Sequence, residues 1–237
     1  GLSGTNANIT IENCNIKGTK GIERINGEIN GGTIEGTVEY GINVHTGDTL
    51  EIKEVNVKGK KNGIYSTRYC GYYGCNAGGV LTINGGEIIG EENGIRNAGT
   101  LNIKRGKIKG TTGYGVMSEA GTINIGEDDE TLSTTEPEIK GNTYGLYIQS
   151  GDVNFYDGIL KGQTAAYYGS LKNVVGGYAE EFGEEIVDGN TYITDILVKE
   201  TDVVENETTN TKYIKLSDAI NNASENDTLK LLKNVSA

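Results

Sequence analysis

Few side chains in this chain are of the types that do chemistry, and their spacing argues against most of it. The only adjacent aspartates, Asp128 and Asp129, lie between Glu127 and Glu130. Glycoside hydrolysis needs a pair of placed carboxylates, but four acids in a row read first as a solvated loop. Their oxygens could hold Ca²⁺, yet the D-x-D-x-D-G spacing is missing. The only histidine, His45 in NVHTG, cannot by itself build a zinc site or a triad; it is expected on a surface turn. Arg24, Arg68, Arg96 and Arg105 are the only arginines, and none neighbours an acidic cluster. No catalytic residue, metal ligand or cofactor is assigned.

The cysteines say more. Cys70 and Cys75 share one stretch, TRYCGYYGCNAGG, with Gly71 and Gly74 between them. That loop can close as a local disulfide, which suits an extracellular protein. Cys14 stands where other copies of the repeat described next have Gly106 or Val55, so it is expected as a buried structural thiol.

The elements that position these residues come from a repeated phrase. Its clearest copy is GTLNIKRGKIKGTTGYGVMS, Gly99 to Ser118. Aligned on Gly18, Gly36, Gly59, Gly90, Gly110, Gly141 and Gly162, residues 7–168 give seven copies. Four hydrophobic lanes recur, passing through Leu81, Ile83, Ile88 and Ile95 in the fourth copy. The first two lanes are two residues apart, the strand period and not the helical one. Three short strands per copy are expected, with glycines at the corners. A fixed phrase of about 20 residues is a solenoid signature. Two insertions interrupt it, Thr67 to Gly79 and Gly126 to Glu136, and inserted loops are where function concentrates.

Beyond Gly169 the phrase decays into an acidic stretch with two expected strands, Thr191–Ile193 and Ile196–Val198. A linker is expected over Glu205 to Thr211. After it, a short helix from Ser217 and a strand over Thr228 to Leu232 are expected.

The repeated G-T-L-x-I … G-x-I-x-G … G-I-Y-x-x-G phrase resembles the right-handed parallel β-helix repeats of the pectin-lyase-like superfamily. It resembles still more the adhesin-like surface proteins of gut bacteria and archaea. The C-terminal Y-x-x-L-x-D-A-I … N-D-T-L-x-L-L-x-N-V pattern resembles a module start in those proteins. The resemblance implies an all-β fold: a right-handed parallel β-helix solenoid of about seven coils with a small C-terminal α+β appendage. Residues 1–170 would form the repeats, 171–212 an acidic strand segment and linker, and 213–237 a cap or the start of a next module. Polygalacturonase-type enzymes of this superfamily carry G-H-G and R-I-K motifs. Here there is no G-H-G, and Arg105 is followed by Gly106, so catalysis is not expected.

What remains is surface. The residue after each fourth-lane hydrophobic should point outward: Glu23, Asn43, Tyr65, Arg96, Met117 and Tyr147. Tyr65, Arg96 and Tyr147, extended by Tyr72 and Tyr73 of the Cys loop, are the candidate binding residues, suited to sugar rings or a partner protein. Tyr as a half-exposed strand former is the competing reading. A lysine column (Lys17, Lys58, Lys109, Lys140, Lys161) reads as a soluble face. A Thr/Asn column (Thr10, Thr82, Asn102, Asn124, Asn154) reads as a ladder that reinforces the stack.

A net charge of −12 over 237 residues disfavours nucleic acid as a partner. No apolar run is long enough to enter a membrane. The opening GLSGTNAN lacks the basic and apolar parts of a signal peptide, so the chain reads as a piece of a longer one. The expected function is a non-catalytic, extracellular, cell-surface stalk or adhesin-like segment that binds a glycan or a host surface protein. The alternatives are a polysaccharide-active or carbohydrate-binding β-helix, or a repeat in an assembly stacked end to end.

Overall fold

The computed structural model describes residues 1–4, 8–72, 74–76, 78–127, 136–174, 178–199, 204–213 and 216–232. The fold is all-β and dominated by parallel sheets. In chain order the strands begin with β1 (Leu2–Ser3), β2 (Asn8–Gly18), β3 (Ile22–Glu23), β4 (Asn26–Gly36), β5 (Tyr40–Val44), β6 (Thr49–Gly59) and β7 (Asn62–Ser66). There follow β8 (Cys70–Gly71), β9 (Gly74–Cys75), β10 (Val80–Gly90), β11 (Asn93–Asn97), β12 (Thr100–Gly110) and β13 (Tyr114–Ser118). Next come β14 (Thr122–Ile125), β15 (Glu138–Gly141), β16 (Tyr144–Ile148), β17 (Asp152–Phe155), β18 (Ile159–Gly162) and β19 (Ala165–Tyr168). The last are β20 (Asn173–Val174), β21 (Tyr178–Val187), β22 (Asn190–Lys199), β23 (Val204–Asn206), β24 (Thr211–Tyr213), one helix α1 (Leu216–Asn222) and β25 (Leu229–Leu231).

Each repeat gives one long strand, or a pair of short ones, to a 12-stranded sheet and one short strand to an 8-stranded sheet. The short sheet runs β1-β3-β5-β7-β11-β13-β16-β19. The long sheet runs β2-β4-β6-β10-β12-β15-β18-β22-β21, with β14, β17 and β20 beside that path. Pairing between repeats is parallel and puts like residues side by side: Leu50↔Leu81↔Leu101, Ile52↔Ile83↔Ile103, Val57↔Ile88↔Ile108. These lanes form one buried cluster from Ile11 to Ala166. Each fully buried Ile or Leu contributes roughly 1.5–3 kcal/mol by leaving water.

In the first five copies the expected three strands become two, while the last two copies keep three short strands, β14, β15 and β16, then β17, β18 and β19. The first two are one continuous ladder of 11 residues, as in β6 and β10. Ile52 and Val57 are an odd number of residues apart, so on a straight strand they would face opposite sides. Glu54, between them, has φ 50°. A left-handed residue turns the strand through a corner, and both side chains point inward without breaking the pairing. Asn13 (φ 49°) and Gly85–Gly86 (φ 106° and 87°) stand at the same corner in their own repeats.

Past the last repeats the long sheet changes direction. β22 pairs antiparallel with β18, Ile159↔Ile196 and Gly162↔Ile193, and is a single strand where two short ones were expected. Lys161 on β18 meets Glu138 at 3.0 Å and Glu185 of β21 at 2.7 Å, with its side chain only 12% exposed. The hydrogen bond from Lys161 holds the Glu185 carboxyl below its usual range. A depressed carboxylate stabilises above its unfolded pKa, and that stability is lost as pH falls through the folded value. Thermal stability is therefore expected to drop as pH falls from neutral to about pH 3. Lys161→Met should remove part of that drop, which melts of both proteins followed by circular dichroism would show.

Residues 1–176 and 180–197 form one compact unit and residues 177–179 and 198–237 another. In the second, β24-β23-β25 form an antiparallel sheet. Val204 and Ala219 are its buried core, packed by Tyr213, Leu216 and Leu229. Part of the expected linker is therefore strand, in β23 and β24. The helix begins at Leu216, one residue ahead of the expected start.

Candidate functional site

The outer face of the short sheet carries the candidate residues. Register pairs Glu23 with Asn43, Asn43 with Tyr65, Tyr65 with Arg96, Arg96 with Met117, and Met117 with Tyr147. One further partner, Tyr168, pairs with Tyr147. The seventh copy reads Ala-Ala-Tyr-Tyr, without the Gly-hydrophobic pair that marks the fourth lane elsewhere.

Four tyrosines meet at this end. Tyr147 stacks on Tyr114 at 4.5 Å and 9°, and on Tyr168 at 5.2 Å and 11°. Tyr144 lies 5.6–6.0 Å from Tyr114, Tyr147 and Tyr168. Strand β16 lies between β13 and β19, so both faces of the Tyr147 ring are covered. Its edge and hydroxyl are what it can offer. Tyr168 is the most open of the four, 53% exposed. Tyr114 and Tyr144 open their short strands and stand three residues before Met117 and Tyr147. An odd separation does not put two residues on one face of a strand, so the spacing gave no signal for Tyr114 and Tyr144.

At the middle of the face, the Arg96 guanidinium sits 5.0 Å from the Tyr65 ring centre and 2.6 Å from Glu119. Arg96 is thereby committed to a ring and a carboxylate. At the other end, Tyr40 donates to Glu23 Oε1 at 2.7 Å, and Lys20 and His45 Nε2 lie 3.5 Å from that oxygen. Burial pushes the Glu23 carboxyl up, but Tyr40 and Lys20 more than offset it and hold it below the usual range. His45 opens the turn that follows β5, as expected, with Asp48 N–H donating to its carbonyl at 3.0 Å, and its partly buried ring faces this carboxylate.

Tyr72 lies apart, on the Cys loop, and is 98% exposed; Tyr73 lies outside the described residues. The loop is a small hairpin of β8 and β9 in which Cys70 pairs with Cys75, and a disulfide joins the two. Its ring closes only the hairpin. Reduction is expected to shift the melting of the parallel sheets by no more than about 2 °C, while proteolysis within residues 67–79 speeds up. Calorimetry and limited digestion with and without reductant would check both.

Cys14 corrects its expectation: it is exposed. Its counterpart Val55, also two residues before the third lane, is fully buried. The difference is position in the stack. β2 is the terminal strand of the long sheet, so the interior position that Cys14 occupies is open on one side.

The lysine column is broken and largely committed. Register inserts Glu35 and Ile89 into it. Lys17 pairs with Glu35 at 2.8 Å, and Lys140 lies 3.9 Å from the Tyr192 ring centre. The amide column is a hydrogen-bonded ladder: Asn154 donates to Asn124 at 2.7 Å, and Asn124 to Asn102 at 2.8 Å. Of the acidic loop, Glu127 pairs with Lys104 at 3.0 Å, and Asp128, Asp129 and Glu130 lie outside the described residues. Among the described residues no three metal-ligating side chains cluster, and no helix is long and apolar enough to cross a membrane.

No protein-family model matches the chain, and no curated protein or solved structure is significantly similar to it.

Proposed function

We propose that the chain is a section of right-handed parallel β-helix that works as a non-catalytic stalk or adhesin-like segment on a cell surface. Its short-sheet face would meet a glycan or a host surface protein. The observation that carries this is the unbroken lane register across the repeats, Ile29↔Ile52↔Ile83↔Ile103↔Ile125↔Phe155. Such a stack is a stiff spacer, because each repeat is held by its neighbours over its full width. Right-handedness follows the chirality of parallel β crossovers. The disulfide supports an oxidising, extracellular setting. Several outward Lys and Arg side chains pair with Glu, as in Lys17–Glu35, Lys104–Glu127 and Arg96–Glu119, which fits a rigid surface better than a reacting centre.

The tyrosine quartet favours sugar as the partner, since aromatic surface with hydroxyl edges suits the mixed apolar and polar character of a pyranose. A glycan-array screen beside a reducing-sugar and unsaturated-product assay tests the reading. Binding without turnover is expected, weakened more by Tyr168→Ala than by Tyr147→Phe, because the exposed ring has more surface to give. Product formation would overturn the non-catalytic reading in favour of a polysaccharide-active protein. Silence in both assays would remove the adhesive part and leave the spacer.

A further inference from the structure

We propose that Asn30 is a site of spontaneous modification, closing on the Gly31 amide to a succinimide that water opens to aspartate and isoaspartate. The chemistry is independent of what the tyrosine face binds.

The sequence holds five Asn-Gly pairs, at Asn26, Asn30, Asn62, Asn84 and Asn93. Asn-Gly is the dipeptide in which this closure is least hindered, because glycine puts no side chain in the path of its own nitrogen. By residue order alone the five sites are equal. The structure separates them.

Three are held. Asn62 and Asn93 are 6% and 8% exposed, and the Asn93 amide donates to Asn62 Oδ1 at 2.9 Å. Asn26 Oδ1 accepts the Thr49 N–H at 2.6 Å, and Gly27 is paired with Ile9 on one side and Leu50 on the other. Each of these side chains must break a hydrogen bond before its Cγ can turn toward the backbone. A fourth, Asn84, is half-buried, but Gly85 is buried, and the Glu54 carboxylate lies where a Cβ on Gly85 would be. A negative charge at that place opposes loss of the Gly85 amide proton, on which closure depends.

Asn30 is the exception. Its Oδ1 is buried without a hydrogen-bond partner. That is an unfavourable ground state, and no bond to that oxygen keeps the side chain from turning. Gly31 is half-buried and lies outside the register on both sides. β2 pairs with Asn30 and then Gly32, and β6 pairs with Asn30 and then Thr33. Gly31 and Gly32 have φ 66° and 87° and form the corner of this repeat. A register break at a bend gives the slack that ring closure needs, and it can take up the extra backbone atom of isoaspartate.

No reagent but water is required. The Gly31 nitrogen bonds to Asn30 Cγ, the Cγ–Nδ2 bond breaks, and the Gly31 amide proton leaves with Nδ2 as ammonia. One water then cleaves either C–N bond of the ring. Cleavage at the side-chain carbonyl gives aspartate, and cleavage at the main-chain carbonyl gives isoaspartate. Either product adds a negative charge beside Glu12 and Lys53, the register partners of Asn30.

The experiment incubates the folded chain at neutral pH and samples it over weeks. Peptide mapping with fragmentation in the mass spectrometer and isoaspartate-specific methylation are the readouts. The same chain in urea is the reference, and Asn30→Gln is the control. Asn30 is expected to convert at least about tenfold faster than each of the other four in the folded chain, giving isoaspartate as well as aspartate. In urea the five should convert at comparable rates, because only the dipeptide then matters. Asn30→Gln should melt as the parent does and form no isoaspartate at position 30. Equal rates at Asn30 and Asn62 in the folded chain would overturn the proposal. So would conversion of Asn30 to aspartate alone, which would mean direct hydrolysis without the ring.

Discussion

Gly90→Ala is expected to cost about 3–5 kcal/mol of stability, among the largest effects of any single substitution. A Cβ on Gly90 would lie 1.8 Å from the Asn93 carbonyl oxygen and 2.6 Å from the Gly63 amide nitrogen. Both are backbone atoms, so no rotamer change relieves the contact. Gly36, Gly59, Gly110 and Gly141 repeat the geometry, each with a carbonyl oxygen 1.7–1.9 Å from the added atom. None of these glycines has a positive φ. They are needed because the chain doubles back tightly behind them, not for left-handed backbone. Gly47→Ala is the matched control: nothing lies within 4 Å of its added Cβ, but its φ is 87°. It should cost only about 1 kcal/mol, from backbone strain alone. Urea unfolding of the two variants would check this, and equal midpoints would refute the close-approach argument.

Ile83→Ala is expected to cost about 3–5 kcal/mol, whereas Ile9→Ala should cost about 1. Both delete the same atoms. Ile83 is fully buried and lies between Ile52 and Ile103 in neighbouring repeats. The cavity left there is walled on both sides by strands that cannot collapse without losing their own register. Ile9 lies on the terminal strand and is partly covered. Its removal opens a surface that water already reaches. If stability is transmitted between neighbouring repeats, the central variant should also speed amide exchange in β6 and β12, and the terminal one only in β2 and β4. Equal losses from both would mean that the end of the stack is as well packed as its middle.

The lanes, the corner glycines and the all-β class were legible from residue order. They rest on covalent properties: a two-residue alternation, a glycine at a fixed interval, a phrase that returns. Tyr65, Arg96 and Tyr147 could be placed on one outward column for the same reason. The merging of two expected strands into one bent ladder was not legible. The left-handed residue at the bend is Asn13 in one repeat, Glu54 in another and a Gly pair in a third, so composition does not mark it.

The state of each surface side chain was beyond sequence as well. Whether Tyr147 shows a face or only an edge depends on rings brought from β13 and β19, more than 20 residues away on either side. Arg96 is spent on Tyr65 and Glu119, which sequence separation hides. Cys14 matches a buried lane position and is exposed because, among the described residues, no strand stacks on its outer side. A period along the chain decides which way a residue points. What it then meets is decided by the neighbouring repeat, and at the end of the stack by the lack of one among the described residues.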